Sequence, residues 1–311
     1  MKKLLIFLTL SFLTLNACEN VFEITPQDKI SETDVWTDPI LVRSFMNAIY
    51  TQTFGQGLYR DTQLGGATDE IHSIKNAGNY YIIQRGELTS DNISSIHAYL
   101  NNWPSVYKLI RETNIFFSKI QAATFDEITK NQMIAEMKFI NAFLYAKLIE
   151  RYGGVPIITQ VFGLGENDYS LTRDSYDDCV NHIVNQLDEV INALPKKQTG
   201  TSLGKISADA ARALKARVLL YAASPLFNPT NDLLKWQKAA DAAKVLINNG
   251  YSLHNNYQQL FMQDNNEIIF ARFFTQANFH QINVQAGRNG NDGYGSDTPT
   301  QNLIDGYEMA A

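Results

Sequence analysis

The sequence is poor in cysteine: Cys18 and Cys179 are its only two, too few for a disulfide framework. Stability must then come from an apolar core, for which 311 residues are ample. Positive charge is not in surplus either, with 26 Lys and Arg against 32 Asp and Glu and a formal net charge of −6. Phosphate binding leans on surplus cations, so no nucleic-acid partner is expected. Only 8 prolines and 18 unphased glycines, beside a 45% hydrophobic content, exclude a collagen-like repeat and a disordered tail. The five histidines, His72, His97, His182, His254 and His280, are scattered, and neither HExxH nor CxxC occurs. Zinc or iron catalysis has no footing, and no metal or cofactor is expected. Asn289 to Asp292 is rich in oxygen but lacks the alternating ligands and closing glutamate of a calcium loop.

What is present begins with an address. Lys2 and Lys3 precede the apolar run Leu4 to Leu15, and Leu15-Asn16-Ala17-Cys18 places a small residue before a cysteine. The run is shorter than the about 20 residues a bilayer core requires, and polar Glu19-Asn20 follows at once. Residues 1–17 read as an export signal and 18–311 as one domain. The junction resembles a bacterial lipobox, which would make Cys18 a lipid anchor, with ordinary secretion as the alternative. Taking Lys2 and Lys3 off the 26 basic residues leaves 24 against 32 acidic ones, a charge of −8. Membrane attachment would therefore be through lipid chains and not through a basic patch.

Most of the remaining chain repeats apolar residues at steps of three and four, the period of a helix with one buried face. Helices are expected from Pro39 to Thr53 and from Pro104 to Ile120. Another carries Met133, Met137, Ile140, Leu144 and Leu148 on one row and Phe139, Phe143, Ala146 and Ile149 on the next, ending at Gly153-Gly154 before Pro156. Val155 to Thr159 reads as an edge strand or loop. A further helix starts at Asp174 or Ser175 and stops at Pro195, with Cys179 in its apolar stripe. The next is capped by Ser207 and rich in alanine, and a last one runs from Trp236 to Ile247. Starts near 104, 131, 174, 207 and 236 recur at roughly thirty to forty residues, the period of paired-helix solenoids. The fold class expected is mostly α, a tetratricopeptide-like helical repeat with long irregular insertions.

Those insertions are Gly55 to Ser95 and Phe274 to Pro299, both rich in Gly, Asn and aromatic residues. Long irregular segments in compact domains are often functional. Asn79, Tyr80 and Tyr81 in the first, and Phe274, Asn278, Arg288 and Asn289 in the second, combine flat rings with amide and guanidinium groups. Sugars need that combination: aromatic faces stack on C–H faces while amides, carboxylates and guanidinium groups bond hydroxyls. Asp69, beside Glu70, joins the list. Each aromatic could equally plug a helix end beneath a loop. Gly200-Thr201-Ser202-Leu203-Gly204 has the letters of a nucleophile elbow, but it lies in a polar run between helices with no strand before it. Only three residues separate its glycines, so it is no P-loop either. Asp177-Asp178 sits where acids complement a helix N-terminus.

Several blocks together resemble the SusD/RagB family of outer-membrane lipoproteins of Bacteroidota. They are Ala135 to Tyr145, Glu150-Arg151-Tyr152-Gly153-Gly154-Val155-Pro156, Arg173-Asp174-Ser175-Tyr176, Gly204 to Leu220, Ser224-Pro225-Leu226-Phe227-Asn228, and Pro299 to Leu303 with Tyr307-Glu308-Met309. The resemblance implies helical pairs, a lipid anchor at Cys18, and non-catalytic capture of a glycan, or of a peptide, at the cell surface. It also implies a partner, a SusC-like TonB-dependent transporter on which the protein closes as a lid. Family ligand residues lie in variable loops, so none carries over by match. The family continues past the Tyr-Glu-Met block, whereas this chain stops at Ala310-Ala311, and an incomplete domain is expected. An exported hydrolase using Asp69, Glu70 or Ser202 is the competing reading.

Overall fold

A computed structural model describes residues 32–55, 65, 68–73, 80–92, 102–163, 165, 170–280, 287, 290, 293, 295 and 297–307. Helices α1 (Glu32–Thr37) and α2 (Pro39–Phe54) are followed by strand β1 (Ile71–Ser73) and the short α3 (Tyr80–Gln84). Then come α4 (Trp103–Ile120), α5 (Glu127–Tyr152), α6 (Tyr176–Ala193), α7 (Ala208–Ala223) and α8 (Leu233–Ile247). Short α9 (Tyr257–Leu260), strand β2 (Asp297–Pro299) and α10 (Gln301–Asp305) complete the described elements.

Side-chain caps fix most long helix starts. Asp38, Asp126, Ser175, Ser207 and Asp232 each accept a backbone N–H from the first turn of the helix that follows. Two caps lengthen helices beyond the sequence expectation. Asp126 accepts from Thr129 N at 2.8 Å, so α5 begins at Glu127 and not near 131. Asp232 does the same for α8, which begins at Leu233 and not at Trp236.

From α4 to α8 each helix packs antiparallel on the next. Between α4 and α5, the N–H of Trp103 donates to Tyr152 Oη at 3.3 Å at one end and Asn141 Nδ2 donates to Thr113 Oγ1 at 2.7 Å midway. Between α6 and α7, Ala208 N meets Pro195 O at 2.9 Å and Lys215 meets Asp188 at 2.6 Å. The central helix is α5, buried around much of its circumference as its two apolar rows require, with Phe139, Ile140, Leu144, Tyr145 and Leu148 all in the core. Each large side chain so buried contributes about 1.5–3 kcal/mol relative to exposure. The expected mostly helical, tetratricopeptide-like stack is the fold observed.

The 23-residue link between α5 and α6 (153–175) explains the Tyr-Gly-Gly-Val-Pro and Arg-Asp-Ser-Tyr blocks. Gly153 ends α5 with φ 68°, and at Gly154 a Cβ would lie 2.1 Å from the Asp174 carbonyl oxygen. Arg173 donates to the carbonyls of Tyr152 (2.8 Å) and Gly154 (3.2 Å), and Asp174 Oδ2 accepts from Ile157 N at 2.7 Å. The stretch after Val155 is extended but forms no strand. Side chains satisfy its backbone instead: Tyr107 donates to Pro156 O, Asn114 to Ile158 O and Gln160 O, and Tyr145 Oη accepts from Ile158 N.

Candidate functional site

The two irregular segments meet. Strand β1 from the first pairs antiparallel with β2 from the second, in the register Ile71 with Pro299, His72 with Thr298 and Ser73 with Asp297. Thr300 prolongs the ribbon, its N–H donating to Glu70 O at 2.9 Å and its hydroxyl to Asp69 O. Gln84 of α3 donates to Ile71 O at 3.2 Å, so the helix opened by Tyr80 and Tyr81 is tied to the same ribbon. A three-residue ribbon between segments more than two hundred residues apart has no local sequence signal.

A second tie runs through aromatic rings. Phe54 at the end of α2 packs edge-on against Phe270 at 5.1 Å between centroids, and Phe270 meets Phe139 of α5 at 6.0 Å. From this anchor Arg272 donates to the carbonyl of Gly55, where the first irregular segment leaves α2. The same guanidinium lies 5.1 Å from the centre of the Phe274 ring, and the ring of His280 stands edge-on to Phe274 at 4.7 Å. Phe274 is thus half-buried and held in place. Asn278 closes a tight turn with Thr275, the two exchanging backbone hydrogen bonds of 3.0 and 3.1 Å, and it is exposed beside Phe279, which is 58% exposed.

Of the residues singled out from sequence, Asp69 is exposed at the ribbon, and Phe274 and Asn278 stand as just described. Tyr80 and Tyr81 are placed by their backbone as the start of α3. Cys18, Asn79, Arg288 and Asn289 lie outside the described residues.

The polar run between α6 and α7, Lys196 to Lys205, forms one wall of a cleft that nothing in its local sequence signals. That loop faces residues 264–273 across a cleft of about 260 Å3, its open mouth included, with Lys197, Lys205, Asp264, Ile268, Phe270 and Phe273 among its walls. Gly204, at φ 87°, takes a backbone conformation that favours glycine and stands in ordinary contact range of the Phe273 ring. Lys197 is fixed at the rim, donating to Asn265 O at 3.3 Å and lying 5.6 Å from the Tyr251 ring centre. Burial, with the adjoining Asp209 charge, pushes the Tyr251 phenol up to about 12, so it remains a hydrogen-bond donor. The Gly200-Thr201-Ser202 run in this loop is a single 3-10 turn, without the strand-to-helix bend that exposes a nucleophile. Among the described residues no group of three or more His, Cys, Asp or Glu is placed to hold a metal ion.

The acidic pairs Asp177-Asp178 and Asp188-Glu189 are engaged in structure. Asp178 completes the Ser175 cap, Asp177 pairs with Lys235 of α8 at 2.8 Å, Asp188 with Lys215, and Glu189 with Lys138. Glu136, in the first resemblance block, is buried and accepts both nitrogens of Arg43 (2.7 and 3.0 Å) and the Tyr50 hydroxyl (2.6 Å), fastening α2 to α5. Burial and then the Glu136 charge raise the Tyr50 phenol well above its ordinary range.

Comparison with known proteins gives a consistent result. The model of a SusD-like family, described as starch-binding and associating with the outer membrane, matches residues 24–220. A curated SusD-like protein of Formosa agariphila is 25% identical over 262 residues, covering 80% of this chain and 47% of its own length. A second from the same organism is 23% identical over 276 residues, 84% of this chain and 49% of its own. The chain spans about half the length of these relatives. A solved SusD-like protein of Bacteroides fragilis superposes with a TM-score of 0.71 at 24% identity, over 91% of this chain and 55% of that one. A laminarin-binding SusD-like protein superposes with a TM-score of 0.60 at 22% identity, over 73% and 50%. At these identities the structural likenesses establish the fold.

Proposed function

The chain belongs to the SusD-like family, and from that premise we propose that it is a non-catalytic surface lipoprotein that captures glycans for uptake. In this reading residues 1–17 are a leader, Cys18 carries the lipid, and 18–311 form the binding domain. The captured glycan passes to a TonB-dependent transporter of the SusC kind.

The observation that carries the reading is the family match over residues 24–220. The β1–β2 ribbon supports it, because it joins the irregular segment that holds Asp69 and the start of α3 to the end of the one that begins at Phe274. Aromatic rings together with amide and carboxylate groups, the residue types these segments carry, suit a ligand with apolar faces and many hydroxyls. No step of bond breaking is required of any residue, and Ser202 sits in a turn unsuited to nucleophilic attack.

The test has two readouts on the native, detergent-solubilised lipoprotein. Affinity capture should recover a TonB-dependent transporter, and a panel of β- and α-glucans with a matched peptide panel should show saturable glycan binding. Binding confined to peptides would overturn the glycan assignment. Turnover of a glycan or ester that disappears in Ser202→Ala or Asp69→Asn would overturn the non-catalytic one.

A further inference from the structure

The second irregular segment leaves the helical stack through Phe270 to Phe274, and the side chains of that stretch divide their contacts. Phe270 meets Phe54, the last residue of α2, and Phe139 of α5, with ring centroids 5.1 and 6.0 Å apart. Phe273 turns instead to the loop at Gly204. Between them Arg272 has two engagements at once. Its Nη1 donates to the carbonyl of Gly55, the C-cap of α2, while its guanidinium carbon lies 5.1 Å from the centre of the Phe274 ring. Phe274 in turn meets the ring of His280 edge-on at 4.7 Å, across the turn that Thr275 and Asn278 close by exchanging backbone hydrogen bonds.

The last carbonyls of a helix have no partner within it, and a cation suits that end of the dipole. Gly55 opens the first irregular segment and Phe274 opens the second, so one guanidinium holds the roots of both. The β1–β2 ribbon joins the same two segments farther along the chain. Each segment therefore runs between two fixed points, and both points are shared with the other. We propose that Arg272 is a positioning residue for the ligand region: it fixes the two irregular segments relative to one another at their roots, and it sets glycan affinity through the placement of Phe274, without touching the glycan. The effect on affinity rests on the glycan reading, whereas the tie between the segments does not. Segments already held in place lose less freedom when a ligand binds, and that saving appears as affinity. Arginine suits the task because a guanidinium can donate in its plane while lying over a ring, whereas an ammonium is a compact charge on a flexible stem.

The experiment compares the full chain in detergent with its Arg272→Ala and Arg272→Lys variants. Amide hydrogen exchange, read by peptide, should speed about fivefold or more in Arg272→Ala both around Gly55 and over Thr275 to Asn278, with peptides from α4 and α5 unchanged. Arg272→Lys, which keeps one donor and the charge, should recover part of that protection. The tightest-binding glucan of the panel should bind about tenfold more weakly to Arg272→Ala. On a Phe274→Ala background the same substitution should cost less than about threefold, because the placement it secures is already lost. A tenfold cost undiminished on that background would overturn the proposal, since Arg272 would then act on the glucan directly. Exchange that speeds in one segment alone, in neither, or throughout the helical stack would overturn it as well. If the unaltered protein binds no glucan of the panel, the glycan reading falls, and exchange at the two segments by itself upholds or overturns the tie.

Discussion

Gly154 has no room for a side chain, because the Asp174 carbonyl oxygen stands 2.1 Å from where a Cβ would be built. That oxygen belongs to backbone held by the Arg173 and Asp174 hydrogen bonds, so it cannot give way cheaply. Gly154→Ala should lower the unfolding free energy by about 2–4 kcal/mol, read from a urea melt, with helix content preserved below the transition. Asn114 is a second sensitive residue. Its buried amide serves the carbonyls of Ile158 and Gln160, which have no strand partner. Asn114→Ala leaves Ile158 O with the Tyr145 hydroxyl at 3.2 Å and Gln160 O without this donor, and should cost about 1 kcal/mol, with faster proteolysis between Ile157 and Gly163 as the local signature. At the proposed ligand region, Phe274→Ala and Asn278→Ala should each weaken glycan binding about tenfold, about 1.4 kcal/mol, in a titration with the best ligand of the panel. Melting temperatures should stay close to that of the unaltered protein for Asn278→Ala, which is exposed.

At the scale of elements, three helices are joined by a ladder of polar side chains. Thr113 of α4 donates to Ile110 O and accepts from Asn141 of α5. Gln186 Nε2 of α6 bonds both Asn141 Oδ1 (3.0 Å) and His182 Nε2 (2.7 Å), which makes that ring nitrogen the acceptor and puts the imidazole proton on Nδ1. Burial lowers the His182 pKa below its usual value, opposed by the Asp174 charge. An unfolded histidine titrates near pH 6.5, so above about that pH both states are neutral and the group is silent. Below it the unfolded chain takes up the proton first, and stability falls as pH drops toward the lower folded-state value. The protonated ring would also present Nε2–H to the Gln186 amide nitrogen, and turning that amide would break its bond to Asn141. The urea midpoint should therefore fall between pH 7.5 and pH 5, and the fall should be smaller in His182→Gln. The contact of α2 with α5 depends on one buried carboxylate in the same way. Glu136→Gln removes the charge that Arg43 and Tyr50 address, and should cost about 2 kcal/mol given that Arg43 is partly exposed.

At the scale of the whole molecule, the antiparallel helices from α4 to α8 form a packed stack from which two irregular segments depart. Phe270 and Arg272 fasten the second segment to α2 and α5, and the β1–β2 ribbon fastens the first segment to the second. The blocks that carry the family resemblance mostly hold this scaffold together. Gly154, Arg173 and Asp174 close the α5–α6 link, and Asn228 bonds Ala223 O and Asp232 across the α7–α8 turn. Tyr176 stacks on Phe227 at 3.5 Å between centroids. Such residues identify the fold and leave the ligand unspecified, which is why a family match over residues 24–220 fixes membership without naming a sugar.

The sequence by itself determined the helices and their faces. Apolar spacing of three and four, the Asp and Ser caps and the Gly153-Gly154 stop are local properties, written within a turn or two of where they act. It determined the burial of Cys179 and the structural use of Asp177 and Asp178 for the same reason. Only the tertiary structure decided that residues 71–73 pair with 297–299, that Arg272 reaches Gly55, that the Lys197 loop faces Phe273 across a cleft, and that the extended stretch after Val155 is served by Tyr107, Asn114 and Tyr145 in place of a strand. Those contacts join residues far apart in the chain, and their partners are chosen by the packing of the helices between them, which no window of sequence contains.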